Sequence, residues 1–160
     1  MNPKTNDLDS IDQTLMALVR LIKKPALWEE YCRRSKVDID HPSIIILFNL
    51  CDGPVTFQSL VSRLGVEAPS VSRKVHELED RGYIQRNLTT DKRVHELSLT
   101  KNGERVTKLI RSAERSILSE VFVDWTTKET QQLSIMLSRL VKDMGLVINH
   151  AKNKGVEVEQ

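Results

Sequence analysis

Residues Thr56 to Gly103 read TFQSLVSRLGVEAPSVSRKVHELEDRGYIQRNLTTDKRVHELSLTKNG, and each boundary in this stretch carries a chemical marker. Thr56 is placed to cap a helix whose apolar stripe is Leu60, Val61 and Leu64, and Gly65 ends it as a left-handed stop. Pro69 then opens a second helix in which Val71, Val75 and Leu78 recur at helical spacing until Gly82. Two short helices joined by a tight turn form a helix-turn-helix. Beyond Gly82 the pattern alternates. Tyr83 to Leu88, a polar loop, and Val94 to Leu99 predict a two-stranded hairpin with a charged tip. A helix-turn-helix with a hairpin behind it is a winged helix, so the expected fold class is mainly α (α+β): a winged helix-turn-helix flanked by N- and C-terminal dimerisation helices.

Outward from that stretch, the chain reads as further helices. Leu8, Ile11, Leu15, Leu18 and Ile22 share one face of a first helix, started by Asp7, Asp9 or Ser10, which Pro25 must kink or split. Ala26 to Ser35 remains helical, ending in the cations Arg33, Arg34 and Lys36. Asp40 or His41 caps a nearly all-apolar helix from Ile44 to Leu50, which Asp52-Gly53-Pro54 terminates. Thr100 caps a long helix bearing Val106, Ile110, Ile117 and Val121. Thr126 to Glu129 forms a capping box for a last helix with Leu133, Leu137, Leu140 and Met144. The expected division is 1–36 as an N-terminal dimerisation segment, 37–100 as the winged helix, 101–152 as C-terminal dimerisation helices and 153–160 as a polar tail. A winged-helix core of about 60 residues cannot cover so many apolar stripes, so the terminal helices are expected to pack on a second copy of the chain.

Composition narrows the function. A formal net charge of +2 means that any nucleic-acid contact rests on local placement of charge rather than on a basic surface overall. No apolar run is long enough to cross a bilayer and no secretory leader is evident, so the expected residence is cytoplasmic. The four histidines, His41, His76, His95 and His150, fall in different elements without metal-ligand spacing. With no phosphate-binding glycine loop and no nucleophile elbow, the reading is of a non-enzyme with no metal and no cofactor. Cys32 and Cys51 fit reduced thiols, Cys51 as a packing residue.

On the helix that opens at Pro69, the apolar side formed by Val71, Val75 and Leu78 turns Ser70, Ser72, Arg73 and His76 outward, with Lys74 among them. These side chains occupy the first turns, which in a recognition helix reach base edges in the major groove. Arg73 can bond bidentately to guanine. At the hairpin tip, Lys92 and Arg93 stand where a wing meets the phosphate backbone or minor groove, and Asp91 is placed to hold Arg93 or shape the turn. The partner that fits this face is duplex DNA with an inverted repeat. A winged helix used for protein–protein assembly is the competing reading, which an apolar patch on the same face would favour.

Leu78-Glu79-Asp80-Arg81-Gly82-Tyr83-Ile84-Gln85-Arg86, then Asp91-Lys92-Arg93, then Leu99-Thr100-Lys101-Asn102-Gly103, resembles the MarR family of winged-helix regulators. The resemblance extends from about Leu8 to Ile148. It implies a dimeric transcription factor, usually a repressor relieved by a small ligand or an oxidant. By that similarity Arg93 is the minor-groove arginine of the wing, and Asp91 positions basic groups there. It also implies an aromatic or acidic effector in a pocket, for which Trp28, Tyr31, Phe48 and Arg111 are the expected lining. Cys32, beside Arg33 and Arg34, is the candidate for a redox alternative.

Overall fold

The computed structural model describes residues 5–88 and 95–156, with the side chains of 6–88 and 95–150. Among these are seven helices and three strands: α1 (Thr5–Ile22), α2 (Pro25–Ser35), α3 (His41–Asn49), β1 (Val55–Thr56), α4 (Phe57–Leu64), α5 (Ala68–Asp80), β2 (Ile84–Leu88), β3 (His95–Leu99), α6 (Lys101–Val121) and α7 (Thr127–Val156). The chain divides into two compact units, Met1–Ser116 and Ile117–Gln160.

Local chemistry sets the breaks. Pro25 splits the first helix in two and occupies the opening turn of α2, where its missing N–H costs nothing. Lys36, at a left-handed φ of 56°, closes α2 and returns its N–H to the Cys32 carbonyl. Asp40 caps α3 by accepting from the Ser43 amide at 3.0 Å, and Thr56 caps α4 through the Ser59 amide at 3.2 Å. Gly65 stops α4 in the left-handed region expected of it, at φ 63°.

β2 and β3 form the anticipated antiparallel hairpin, with Ile84 opposite Leu99 and Leu88 opposite His95. Strand β1 was not anticipated. Its two residues pair with the outer edge of β3, Val55 opposite Leu97 and Thr56 opposite Glu96, making a three-stranded sheet ordered β1-β3-β2.

The core of the first unit is the winged helix itself. Ile44 and Leu47 of α3, Leu60 of α4, Val75 and Leu78 of α5 and Ile110 of α6 are each fully buried, with Leu97 of β3 among them. This corrects the α6 stripe: Val106 and Ile110 belong to the winged core, and the later Val121 stands open, at 59% exposure. Taken by itself, the second unit contains a capping box, Thr126 N–H to Glu129 Oε2 at 2.8 Å and Glu129 N–H to Thr126 Oγ1 at 3.3 Å. The bonds that Thr126 donates, from its hydroxyl and its amide, hold the Glu129 carboxyl below its usual range. Helix α7 runs through Val156, beyond the point where a polar tail was expected.

Candidate nucleic-acid interface

Helix α5 is fixed from three directions. Val71, Val75 and Leu78 are buried against the core. At its C-terminal end, Arg86 of β2 grips Glu79 with two nitrogens, at 2.7 and 3.1 Å, a fork-on-carboxylate contact that locks strand to helix. Gly82, at φ 67°, turns the chain back so that the Tyr83 amide reaches the Leu78 carbonyl at 2.9 Å. The third tie is the segment before α3. The Lys74 ammonium of α5 bonds the Asp40 carboxylate, and the Arg81 guanidinium bonds the Asp38 carbonyl.

The Leu-Thr-x-x-Gly motif has a physical role here. Thr100 ties three strands of backbone together: its N–H bonds the Tyr83 carbonyl at 3.0 Å, its hydroxyl donates to the Gly82 carbonyl at 2.6 Å, and it accepts from the Gly103 amide at 3.0 Å. A Cβ on Gly103 would overlap the Tyr83 carbonyl oxygen, so only glycine lets α6 start against the turn after α5.

With the apolar side of α5 inward, Ser70, Arg73 and His76 are exposed and Ser72 is half-buried at their margin. The His76 ring nitrogen Nδ1 lies 2.8 Å from the Ser72 carbonyl, which steadies the ring on its own helix. No ion pair engages Arg73 among the described residues. Lys74 departs from this group. Its ammonium sits between Asp40 and Glu77, the latter at 2.7 Å, and these two carboxylates raise its pKa. Partial burial works against the charged form of Asp40, but the bonds from Lys74 and Ser43 outweigh it and leave the carboxyl below its usual range. Asp91, Lys92 and Arg93 lie outside the described residues.

The four residues expected to line one effector pocket fall into two clusters. Trp28 stacks on His41 with ring centres 3.6 Å apart and meets Tyr31 edge-on at 5.2 Å. Burial lowers the His41 pKa against an opposing pull from Asp40. Elsewhere, the Arg111 guanidinium covers the Phe48 ring at 4.5 Å. Arg111 borders a cleft of about 420 Å³ with Leu50, Cys51, Pro54, Leu99 and Lys108, while Trp28 and Cys32 border another of about 410 Å³. The separation arises because Trp28 stacks at the N-terminus of α3, on His41, whereas Phe48 lies near its C-terminus.

The two cysteines also exchange their expected surroundings. Cys51 is exposed, because α3 ends at Asn49 and the turn lifts it from the core. Cys32 is half-buried and its thiol donates to the Ile39 carbonyl at 3.0 Å. Arg33 and Arg34, expected to stabilise a thiolate, both bond Glu30, whose carboxyl they pull down to about 2. No metal-holding cluster of His, Cys, Asp and Glu occurs among the described residues, and no described helix is long and apolar enough to cross a membrane.

The family model described as MarR family matches residues 37–93, the segment that carries this site. The winged-helix segment is thus similar to the MarR family. An 82-residue stretch is 33% identical to the HTH-type transcriptional regulator YwoH of Bacillus subtilis; it makes up 51% of this chain and 60% of that protein. The chain thus spans less than two thirds of that relative's length. Among solved structures, FabT of Streptococcus pneumoniae in complex with DNA is similar with a TM-score of 0.67 at 22% identity, over 86% of this chain and 97% of that one. RV1404 of Mycobacterium tuberculosis is similar with a TM-score of 0.69 at 23% identity, over 90% and 97%. At these identities the likeness establishes the fold, so the MarR-type winged helix expected from the motif is the fold observed. The family and the YwoH relative are regulators of transcription, not enzymes.

Asp40 and Arg81 were missed as members of this site. Asp40 was legible only as a helix cap; its pairing with Lys74, 34 positions later, leaves no local trace in the sequence.

Proposed function

We propose that this protein is a sequence-specific DNA-binding regulator of transcription in which the exposed side of α5 reads bases in the major groove. The observation that carries the reading is the pairing of a rigid mount with a free reader: α5 is held at Lys74, Glu79 and Arg81, while Arg73 stands exposed without an ion-pair partner among the described residues. Arg73 takes the base-reading role, Ser70 and Ser72 contact bases or phosphates, and His76 offers its second ring nitrogen. Lys92 and Arg93, with Asp91 positioning them, are the wing contacts in this reading. FabT, which shares the fold, was solved with DNA.

The active form is a homodimer on an inverted repeat, with half-sites about one helical turn apart. Its support is the exposed apolar sequence of α1 (Leu8, Ile11, Leu18) and of α7 (Met136, Val141, Met144), which a second copy would cover. Repression, relief by a small aromatic or acidic ligand, and residence in the cytoplasm, where its DNA would be, belong to the same proposal. The cleft at Lys108 and Arg111 supports such a ligand with an apolar floor and two cations.

The protein-docking alternative has one observation in its favour. An open, largely apolar groove of about 880 Å³ flanks α5, lined by Pro42, Ile45, Leu64 and Val66 as well as Ser70 and Arg73. One competition experiment separates the two readings. Duplexes selected from a random pool should bind far more tightly than unselected duplexes in moderate salt; equal affinity for both contradicts the regulator reading.

A further inference from the structure

Helix α5 carries two cations, Arg73 and Lys74, against three carboxylates, Glu77, Glu79 and Asp80. That is a poor inventory for an element meant to approach a polyanion. The structure disposes of these charges unequally. Arg86 neutralises Glu79 from β2, and the Lys74 ammonium is held in a site of negative charge made by Asp40 and Glu77. Arg73, the residue next to it in sequence, is left exposed.

Asp40 does this from a fixed position. One of its oxygens is committed to the Ser43 amide as the α3 cap, so the carboxylate cannot follow Lys74 outward; the other oxygen holds the ammonium. Exposed ion pairs of this kind add little to stability. Their effect on binding is larger. A lysine is a flexible point charge that meets any phosphate equally well, and each phosphate it neutralises raises affinity for all sequences alike. Lys74 lies one turn beyond Ser70, so its released stem would reach the same rim of the helix.

We propose that Asp40 is a specificity-determining residue, which withholds Lys74 from the DNA backbone and so leaves base-reading Arg73 as the cation that α5 presents. This rests on the regulator reading above and adds to it a device against sequence-independent binding. The second tie, Arg81 on the Asp38 carbonyl, fixes the same segment at the far end of α5, so that releasing Lys74 does not let the helix swing.

Asp40→Asn separates the two duties of the residue. Its amide oxygen still accepts from Ser43, preserving the cap, but its hold on Lys74 loses the charge. Affinities of the full-length protein for a selected operator duplex and for random duplex would be measured across a salt series. Asp40→Asn is expected to raise affinity for random duplex roughly threefold to tenfold and to steepen its salt slope by about one, while operator affinity rises less and the ratio of the two narrows. The double variant Asp40→Asn/Lys74→Met should lose that gain. Lys74→Met alone should keep the wild-type salt slope, since this lysine meets no phosphate.

Parallel changes in both affinities, an unchanged ratio, or a shallower slope for Lys74→Met would overturn the proposal. Failure of the regulator reading looks different: wild type itself would then show no preference for the selected duplex.

Discussion

The winged lobe and the terminal helices treat apolar side chains in opposite ways. In the lobe, Ile44, Leu47, Leu60, Val75, Leu78 and Ile110 are all sealed at 0% exposure, and the lobe needs nothing further to close its core. In α1 and α7 comparable residues remain open: Leu8 at 50%, Met136 at 68% and Val141 at 71%. One region therefore closes its core with its own residues, while the other leaves apolar surface that the proposed dimer would cover. The difference explains why α6 is the pivotal element in the sequence. Its first half completes the lobe with Val106 and Ile110, and its later Val121 falls in the uncovered class.

The largest effect expected from this contrast is at Leu137 of α7. Leu137→Asp should break the proposed dimer and with it much of the helicity of α1 and α7, while the winged lobe keeps its own cooperative unfolding transition. Sedimentation together with thermal denaturation would detect it. A folded monomer at micromolar concentration with wild-type helicity would erase the distinction between the two regions.

Inside the lobe, Gly103→Ala forces the Tyr83 carbonyl or the start of α6 to move, which should cost about 3 kcal/mol in urea denaturation. An unaffected midpoint would show that the junction between wing and α6 is softer than its bonds indicate. At the entry to α7, Thr126→Ala removes the hydroxyl of the capping box and should cost about 1 kcal/mol, read as lost helicity in the second unit.

Acid should produce the smallest change. The folded-state pKa of His41 is depressed, so the unfolded chain takes up its proton first as pH falls through the ordinary value of 6.5. Stability present above that pH should decline below it. The depressed pKa of Asp40 adds a contribution that is full above 3.8 and is lost only as pH falls through the lower folded value. Melting temperature followed from pH 8 down should fall less in His41→Gln than in wild type over the first of these windows; identical profiles would remove His41 as a source of acid sensitivity.

Features set by adjacent residues were legible in the sequence. Pro25 splitting a helix, Thr56 and Gly65 bounding α4, Thr100 anchoring α6 and the Thr126–Glu129 box each depend on a few neighbouring positions, where local chemistry decides the outcome. The exposed side of α5 was legible for the same reason, since Val71, Val75 and Leu78 fix its rotation. Strand β1 was not, because two residues carry no periodicity and Val55 and Thr56 become a strand only through their pairing with β3. The Lys74–Asp40 clasp and the separation of Trp28 from Arg111 depend on tertiary placement, and nothing near either residue in sequence records it. Cys51 was misread because a position just beyond the end of an apolar helix is enough to leave the core.

Whether the exposed face of α5 reads bases, with Arg73 as its principal contact, can be measured by binding of wild type and Arg73→Ala to every single-base variant of a selected half-site. Arg73→Ala is predicted to cost about 1–3 kcal/mol on the intact site and to relax discrimination at one base-pair position, leaving the others as they were. A uniform loss across all variants would reduce Arg73 to a backbone contact, and no loss at all would contradict the claim.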